Sequence, residues 1–402
     1  MRAWLAFCIL WGLALAQAPG RPENPAELPL EKGIHFSLLA PSLAFENNTL
    51  TQADLLNVLA LLQDPRPTDL LLLAGRVPKG QASTTQVGTE LDVIRLAVPF
   101  GFGEDPLSGT GQYAIGLRYA LGIQSGLQVG KDLVALAQEG SRPGDVLRFA
   151  DTFGTVALWD RLALSGAVPV LDGLLEAGVE VSLLLGRLVA SGAFNEQSQL
   201  TYGENGYSGQ LGMSFYRGGG GMGFETALGL RTRLPTFGVA FTLRTLGRIH
   251  YPNLTLTRLY AEAQDDTAYD LLNKFKDSAQ TSSADYTLYL PTQVELSGFY
   301  PLFLEGMDEP LFLTGRITGS FGGPLATGWR LALGSAFQPT PHLNLRSELA
   351  LGGPALFSLG FGTTLDLAGA KLEFWMANKG GILLGAKGAE VLLRSRFVLG
   401  GE

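Results

Sequence analysis

From Gly221 to Ile249 the chain reads GMGFETALGLRTRLPTFGVAFTLRTLGRI, and its large apolar residues fall on alternate positions. Phe224, Leu228 and Leu230 share a parity with Thr226, while Glu225, Ala227, Gly229 and Arg231 occupy the other. Beyond Pro235, Phe237, Val239, Phe241 and Leu243 alternate with Gly238, Ala240, Thr242 and Arg244. A period of two belongs to an extended strand whose two faces meet different surroundings. One face is large and apolar. The other is small residues, glycine and charge.

The same pattern recurs along the chain. Gly33–Phe45 reads as a first strand, and the strand signal becomes persistent from Thr89. In Tyr113–Gln124, Tyr113, Ile115, Leu117, Tyr119, Leu121 and Ile123 take one face, and Ala114, Gly116, Arg118, Ala120, Gly122 and Gln124 the other. Strands are expected over 152–168 and 174–190, and over Leu211–Arg217 leading into Gly218–Gly221. After Tyr286–Tyr300 they follow as Phe312–Phe321, Gly328–Phe337, Leu343–Leu351, Leu356–Leu365, Lys371–Ala377 and Ala389–Val398, with short turns of Gly, Pro, Asp or Asn between. The count is about 14, within about two either way.

Composition decides what the apolar faces meet. Charged residues make up only 16 % of the 402, against roughly a quarter in a soluble domain. A soluble multi-sheet protein needs a polar outer face, whereas the second faces here hold Gly, Ala, Ser and Thr with single arginines and glutamates. That suits a barrel lumen, with small residues for clearance and charges paired or hydrated. Many segments reach about ten residues, the length of a bilayer-crossing strand. The expected fold is all-β: a transmembrane antiparallel β-barrel of about 14 strands (12–16), with short helices near the N-terminus and in one long loop. The last strand carries Phe397 near its end but not as the terminal residue.

The N-terminus reads as a secretory signal peptide: Arg2, an apolar run from Ala3, and Ala14-Leu15-Ala16 before a cleavage expected after Ala16. Residues 1–16 are then the signal peptide, 17–32 a polar, proline-bearing lead-in, and 33–402 a single barrel. Cys8 is the sole cysteine and lies within the signal, so the exported chain has neither disulfides nor thiolate metal sites. The net charge of −8 and the lack of a basic cluster argue against nucleic acid. Thr51 caps an expected helix over 51–63, with Leu55, Val58, Leu59 and Leu62 on one stripe; it either packs at a barrel rim or enters the lumen as part of a hatch. Val129–Gln138 is a short helix candidate, and 252–285, polar and partly helical, the candidate long loop.

These segments resemble the long-chain fatty-acid transporter-like (FadL-like) outer-membrane barrels and their TraF-like and PorV-like relatives. The residues that carry the resemblance are SLLAPSLAFENNTLTQADLL from Ser37, GMGFETALGL from Gly221, FGVAFTLRTLGRIHY from Phe237 and YLPTQVELSGFY from Tyr289. Relatives carry an Asn-Pro-Ala step near the barrel's beginning; Asn24-Pro25-Ala26 matches it, at a position that leaves little room for a preceding hatch. The resemblance implies a 14-stranded barrel in the outer membrane of a diderm bacterium, with outer-membrane lipid and small hydrophobic molecules as partners. It implies passive uptake of small hydrophobic or amphipathic compounds; the alternative is a non-transporting barrel that acts as a docking or secretion-accessory component.

Chemistry is sparsely supplied. Gly218–Gly223 contains the letters of GxGxxG, but a strand follows where a dinucleotide site needs a helix, so it reads as a glycine kink or turn. His35, His250 and His342 are the only histidines, and no catalytic or metal spacing surrounds them; neither enzyme activity nor a cofactor is expected. The candidate lumen-lining residues are Arg118, Arg231, Arg233, Arg244, Arg330, Arg346, Glu348, Arg394 and Arg396, with Glu225 and Glu390 on the same faces. They form either a path that orients anionic substrates or cross-strand salt bridges that stiffen the wall. Acidic pairs at Glu104-Asp105, Asp265-Asp266 and Asp308-Glu309 read as solvated loop surface.

Overall fold

The computed structural model describes residues 16–17, 24–27, 34–49, 51, 77, 80–100, 113–170, 174–232, 237–303, 310–323, 325–367, 369–381 and 385–399. The expected signal peptide up to Leu15, the body of the helix at 51–63 and Arg233 lie outside them.

Fourteen antiparallel strands close into a barrel. They are β1 (Ile34–Asn47), β2 (Ser83–Phe100), β3 (Tyr113–Val129), β4 (Val146–Arg148 continued by Phe153–Val170) and β5 (Leu175–Phe194 continued by Gln199–Tyr202). Then come β6 (Tyr207–Gly218 continued by Gly221–Thr232), β7 (Gly238–Asp266) and β8 (Gln280–Tyr289 continued by Thr292–Leu302). The series ends with β9 (Leu311–Phe321), β10 (Gly328–Thr340), β11 (Leu343–Gly352), β12 (Phe357–Leu367), β13 (Ala370–Lys379) and β14 (Gly388–Leu399). β14 pairs antiparallel with β1, which leaves no free edge in lipid. That ladder runs from Gly388↔Glu46 to Leu392↔Ser42 and resumes at Phe397↔Phe36, where the two rings stack at 5.1 Å.

Alternation is realised as the sequence requires. Along β3, Tyr113, Ile115 and Leu117 are exposed on the outer wall while Ala114, Gly116 and Arg118 are buried. The lower rim, where β1 begins and β14 ends, also carries the two-residue turn between Leu367 and Ala370 and the turn between Thr340 and Leu343. The upper rim carries the longer connections, among them helix α1 (Lys131–Glu139) between β3 and β4 and helix α2 (Ala268–Asp277) between β7 and β8.

The barrel is tall on one side. The continuous run of β7 has 29 residues and that of β5 has 20, whereas β11 and β13 have 10 each. The stretch 252–285, expected as a long loop, is strand as far as Asp266 and again from Gln280; only the α2 hairpin leaves the sheet. Its polarity belongs to strands that run on beyond the ends of the shorter ones, where the exposed outer positions are polar, as at Thr255, Glu262 and Gln264. There Leu147, Phe149, Leu200, Ala261, Ala263 and Leu271 form a small core, joined by Leu133 and Leu136 of α1 and Phe275 of α2. Thr267 caps α2 by accepting from Asp270 N–H. The Gly218–Gly221 run is a kink inside β6: Gly220 has φ +80°, and a Cβ at Gly219 would stand 2.1 Å from the Arg187 carbonyl oxygen.

Candidate functional site: a layered lumen

Inward positions alternate along each strand, so a strand read from bottom to top is a vertical section of the lumen. On β5 the inward residues are Glu176, Gly178, Glu180, Ser182, Leu184, Gly186 and Val189. Charge lies low and apolar surface high.

At the bottom is a polar vestibule of about 500 Å³, lined by six arginines and four glutamates. Arg231, Arg346, Glu348, Arg394 and Arg396, five of the residues proposed from sequence, line it. Arg316 of β9 holds Glu348 of β11 at 2.5 Å and Arg346 of β11 holds Glu373 of β13 at 2.7 Å, both pairs made to the next-but-one strand. Towards the upper rim of the same side, Arg330 approaches Glu390 at 3.7 Å, and Lys379 bridges Glu390 at 3.4 Å and Glu46 at 3.1 Å, tying β1, β10, β13 and β14 together. Trp375 lies flat over Gly360 and Gly362, where added Cβ atoms would stand 2.3 and 2.6 Å from its ring.

Above part of the vestibule, Asn24-Pro25-Ala26 lies inside the barrel against β5, β6 and β7. The Asn24 side-chain amide donates to the carbonyls of Leu230 (3.1 Å) and Phe241 (3.2 Å), and its oxygen accepts from Ala26 N–H at 2.9 Å. Gly178 and Gly229 give it room: a Cβ on the first would stand 2.3 Å from Ala26 N, on the second 1.9 Å from Asn24 Oδ1. The inserted element is therefore the Asn-Pro-Ala turn itself, whatever the length of the segment before it.

Next comes a buried charge layer to which six successive strands each contribute. Arg118 of β3 holds Glu90 (2.7 Å) and Asp92 (2.6 Å) of β2. Arg161 of β4 reaches Glu90 on one side and Glu225 of β6 (2.9 Å) on the other, each time passing over an intervening strand. Arg244 of β7 lies 3.5 Å from both Glu225 and Glu180 of β5. Bonds that skip a strand must run through the lumen, so this layer is a floor across the tall half. Arg118, Arg244 and Glu225 were recognisable from sequence; Glu90, Asp92, Arg161 and Glu180 were not singled out. The available signal was one or more charges in mid-strand in each of six consecutive apolar segments.

On that floor sits an apolar cluster of Trp159, Leu184, Val189, Ile249, Tyr251, Leu254, Leu288, Leu290 and Leu325. Two rings are laid flat along one row of the wall. Gly122 pairs with Trp159, Trp159 with Gly186, Gly186 with Gly221, and Tyr251 stands one residue on from His250, the partner of Met222. Trp159 covers Gly122, and Tyr251 covers both Gly221 and Gly186; a Cβ at any of the three would stand 2.5 Å from a ring atom. At the upper edge Tyr216 and Tyr286 meet at 4.8 Å, and Tyr286 donates to Ser191.

Leu325 does not belong to that wall. It comes from the turn between β9 and β10, seven strands round the ring from β2 and β3. Yet the side-chain amides of Gln86 on β2 and Gln124 on β3 donate to the carbonyls of Ala326 (2.8 Å) and Leu325 (3.3 Å). The turn reaches across the mouth and places a fully buried leucine in the apolar cluster.

The histidines do not converge. His35 is buried in β1, His250 faces outward beside Thr287, and His342 sits in the lower turn against the Asp366 carbonyl. Among the described residues no group of three or more His, Cys, Asp or Glu is placed to hold a metal ion.

No family model matches the chain, and no curated relative does. Solved structures do. A TodX deltaS2S3 mutant, a monoaromatic hydrocarbon channel, superposes with a TM-score of 0.50 at 12 % identity, over 95 % of this chain and 95 % of that one. The fold is that of the FadL-like barrels. A Pseudomonas aeruginosa FadL homologue covers 96 % of this chain and 97 % of its own at 11 % identity and TM-score 0.49. The Pseudomonas putida toluene transporter TodX covers 94 % and 93 % at 11 % identity and TM-score 0.47.

Proposed function

We propose that the protein is a passive outer-membrane channel for small hydrophobic or amphipathic compounds. The observation that supports this most is the apolar, aromatic-walled cluster inside a lumen otherwise lined by charge. A barrel that only needs to be closed has closure already in the charge layer. A second, apolar layer on the upper side adds affinity for apolar molecules, at about 25 cal/mol per Å² removed from water. The single leucine that fills it is carried on a turn rather than on the wall, so the layer can be opened without dismantling a strand. In the same reading the vestibule arginines, Arg231, Arg346, Arg394 and Arg396, orient the acidic ends of amphipathic cargo.

The test uses vesicles whose outer leaflet is lipopolysaccharide, the barrier that slows apolar solutes. Purified protein is expected to accelerate entry of small aromatic compounds over protein-free vesicles, and Leu325→Trp to reduce that gain. Entry no faster than in protein-free vesicles for any compound tried would overturn the reading.

A further inference from the structure

We propose that the aromatic row beneath Leu325 is a binding seat for a compact apolar molecule carrying one hydrogen-bond acceptor. The inference rests on the channel reading and narrows its cargo. Tyr251 is 0 % exposed and Trp159 6 %. Their polar atoms, the Tyr251 hydroxyl and Trp159 Nε1–H, have no hydrogen-bond partner among the described residues. Buried donors nearly always have partners, and leaving one unmade forfeits its full solvation.

The two groups share one floor. Trp159 is the register partner of Gly186, and the Tyr251 hydroxyl lies over Gly186, 2.5 Å from where a Cβ would stand. The buried members of the cluster around them are alkyl or aromatic, and neither the Tyr216 nor the Tyr286 hydroxyl packed at its edge is bonded to either donor. Leu325 belongs to the same buried cluster, but an alkyl group accepts no hydrogen bond. A ketone, ester or phenol of similar bulk supplies both the apolar contact and the acceptor. A plain hydrocarbon supplies only the first.

The leucine can yield the space. Gly322, Gly323 and Gly328 flank its turn at φ +76°, +74° and +77°, the left-handed region where glycine is at home. Two hydrogen bonds, donated by the side-chain amides of Gln86 and Gln124, hold the turn down. Withdrawal of the turn exchanges one leucine side chain for one ligand of about its size.

The experiment compares acetophenone with ethylbenzene, which share the ring and the carbon count and differ in the acceptor. Affinities for the full detergent-solubilised chain are measured by equilibrium dialysis, after the heat-dependent shift in electrophoretic mobility has shown each variant folded. The quantity read is the acetophenone-to-ethylbenzene ratio, in which partition into detergent cancels between variants. Tyr251→Phe is expected to lower it about fivefold, with Trp159→Phe lowering it by less. Leu325→Ala is expected to tighten both compounds and leave the ratio unchanged. A ratio unaltered in both ring variants overturns the proposal, and so does a Leu325→Ala that binds neither compound more tightly. An intact binding ratio with no uptake into lipopolysaccharide vesicles leaves the seat standing and removes the channel reading instead.

Discussion

The tall half of the wall, β2 to β8, and the short half, β9 to β14, obey the same alternation, yet their lumens differ. Inside the tall half the inward side chains meet one another: Arg161 touches acids from two strands away, Tyr251 lies on two glycines, and Asn24 bonds carbonyls of both β6 and β7. Inside the short half most of them line the open vestibule: Arg316–Glu348 and Arg346–Glu373 pair across a strand yet keep partial exposure, and among the described residues only the Lys379–Glu46 pair near the upper rim is fully buried. The difference teaches that a lumen face specifies only that residues are small or charged. Whether it packs depends on what stands opposite.

The contrast can be broken most severely at the charge layer. Arg161→Ala leaves Glu90 and Glu225 buried without their shared cation, and should cost about 3–5 kcal/mol; Arg316→Ala, at a partly exposed pair, should cost no more than about 1 kcal/mol. Guanidinium titration of the two variants in lipid vesicles measures both, and equal losses would mean that the halves are not different in kind. Next in size is the aromatic row. Gly186→Ala drives a methyl into the Tyr251 ring and is expected to destabilise by about 1–3 kcal/mol, while the control Gly315→Ala on the outer face of β9, whose nearest neighbour would be Leu333 at 3.9 Å, should stay within about 0.5 kcal/mol. The same titration decides.

Asn24→Ala tests whether the inserted turn belongs with the packed half. Two wall carbonyls lose a donor, for an expected loss of about 1–2 kcal/mol, and an Arg231→Cys probe in the vestibule should react faster with a water-soluble thiol reagent. An unchanged labelling rate would show that the turn does not shield that side. The smallest effect is expected outside the lumen. Arg187, on the outer face, pairs with the buried Asp160 at 2.6 Å but is itself more than half exposed, and Asp160 keeps a hydrogen bond from the Tyr119 hydroxyl, so Arg187→Ala should move the unfolding midpoint much less than Arg161→Ala. A large shift would mean that the outer wall carries stability assigned here to the inside.

Much of this architecture was legible in the residues. Tyr113–Gln124 and Phe237–Arg244 declared their two faces, the short Gly- and Asp-bearing turns of the last six strands placed the hairpins, and low charge with abundant glycine separated a membrane wall from a soluble sheet. The arginines on small-residue faces pointed inward. The 252–285 stretch misled because its strands carry polar residues on the outer positions and so lack the apolar face by which the others are recognised.

Local alternation thus determined that this chain forms strands, which side chains share a face, and roughly how many strands close the ring, because a period of two is a property of neighbouring residues. It could not determine that Arg161 meets Glu90 and Glu225, that Tyr251 rests on Gly186, or that Leu325 crosses the mouth to Gln86 and Gln124. Those contacts join positions from 64 to 240 residues apart, and only closure of the barrel, which turns separate inward faces into one shared interior, brings them together.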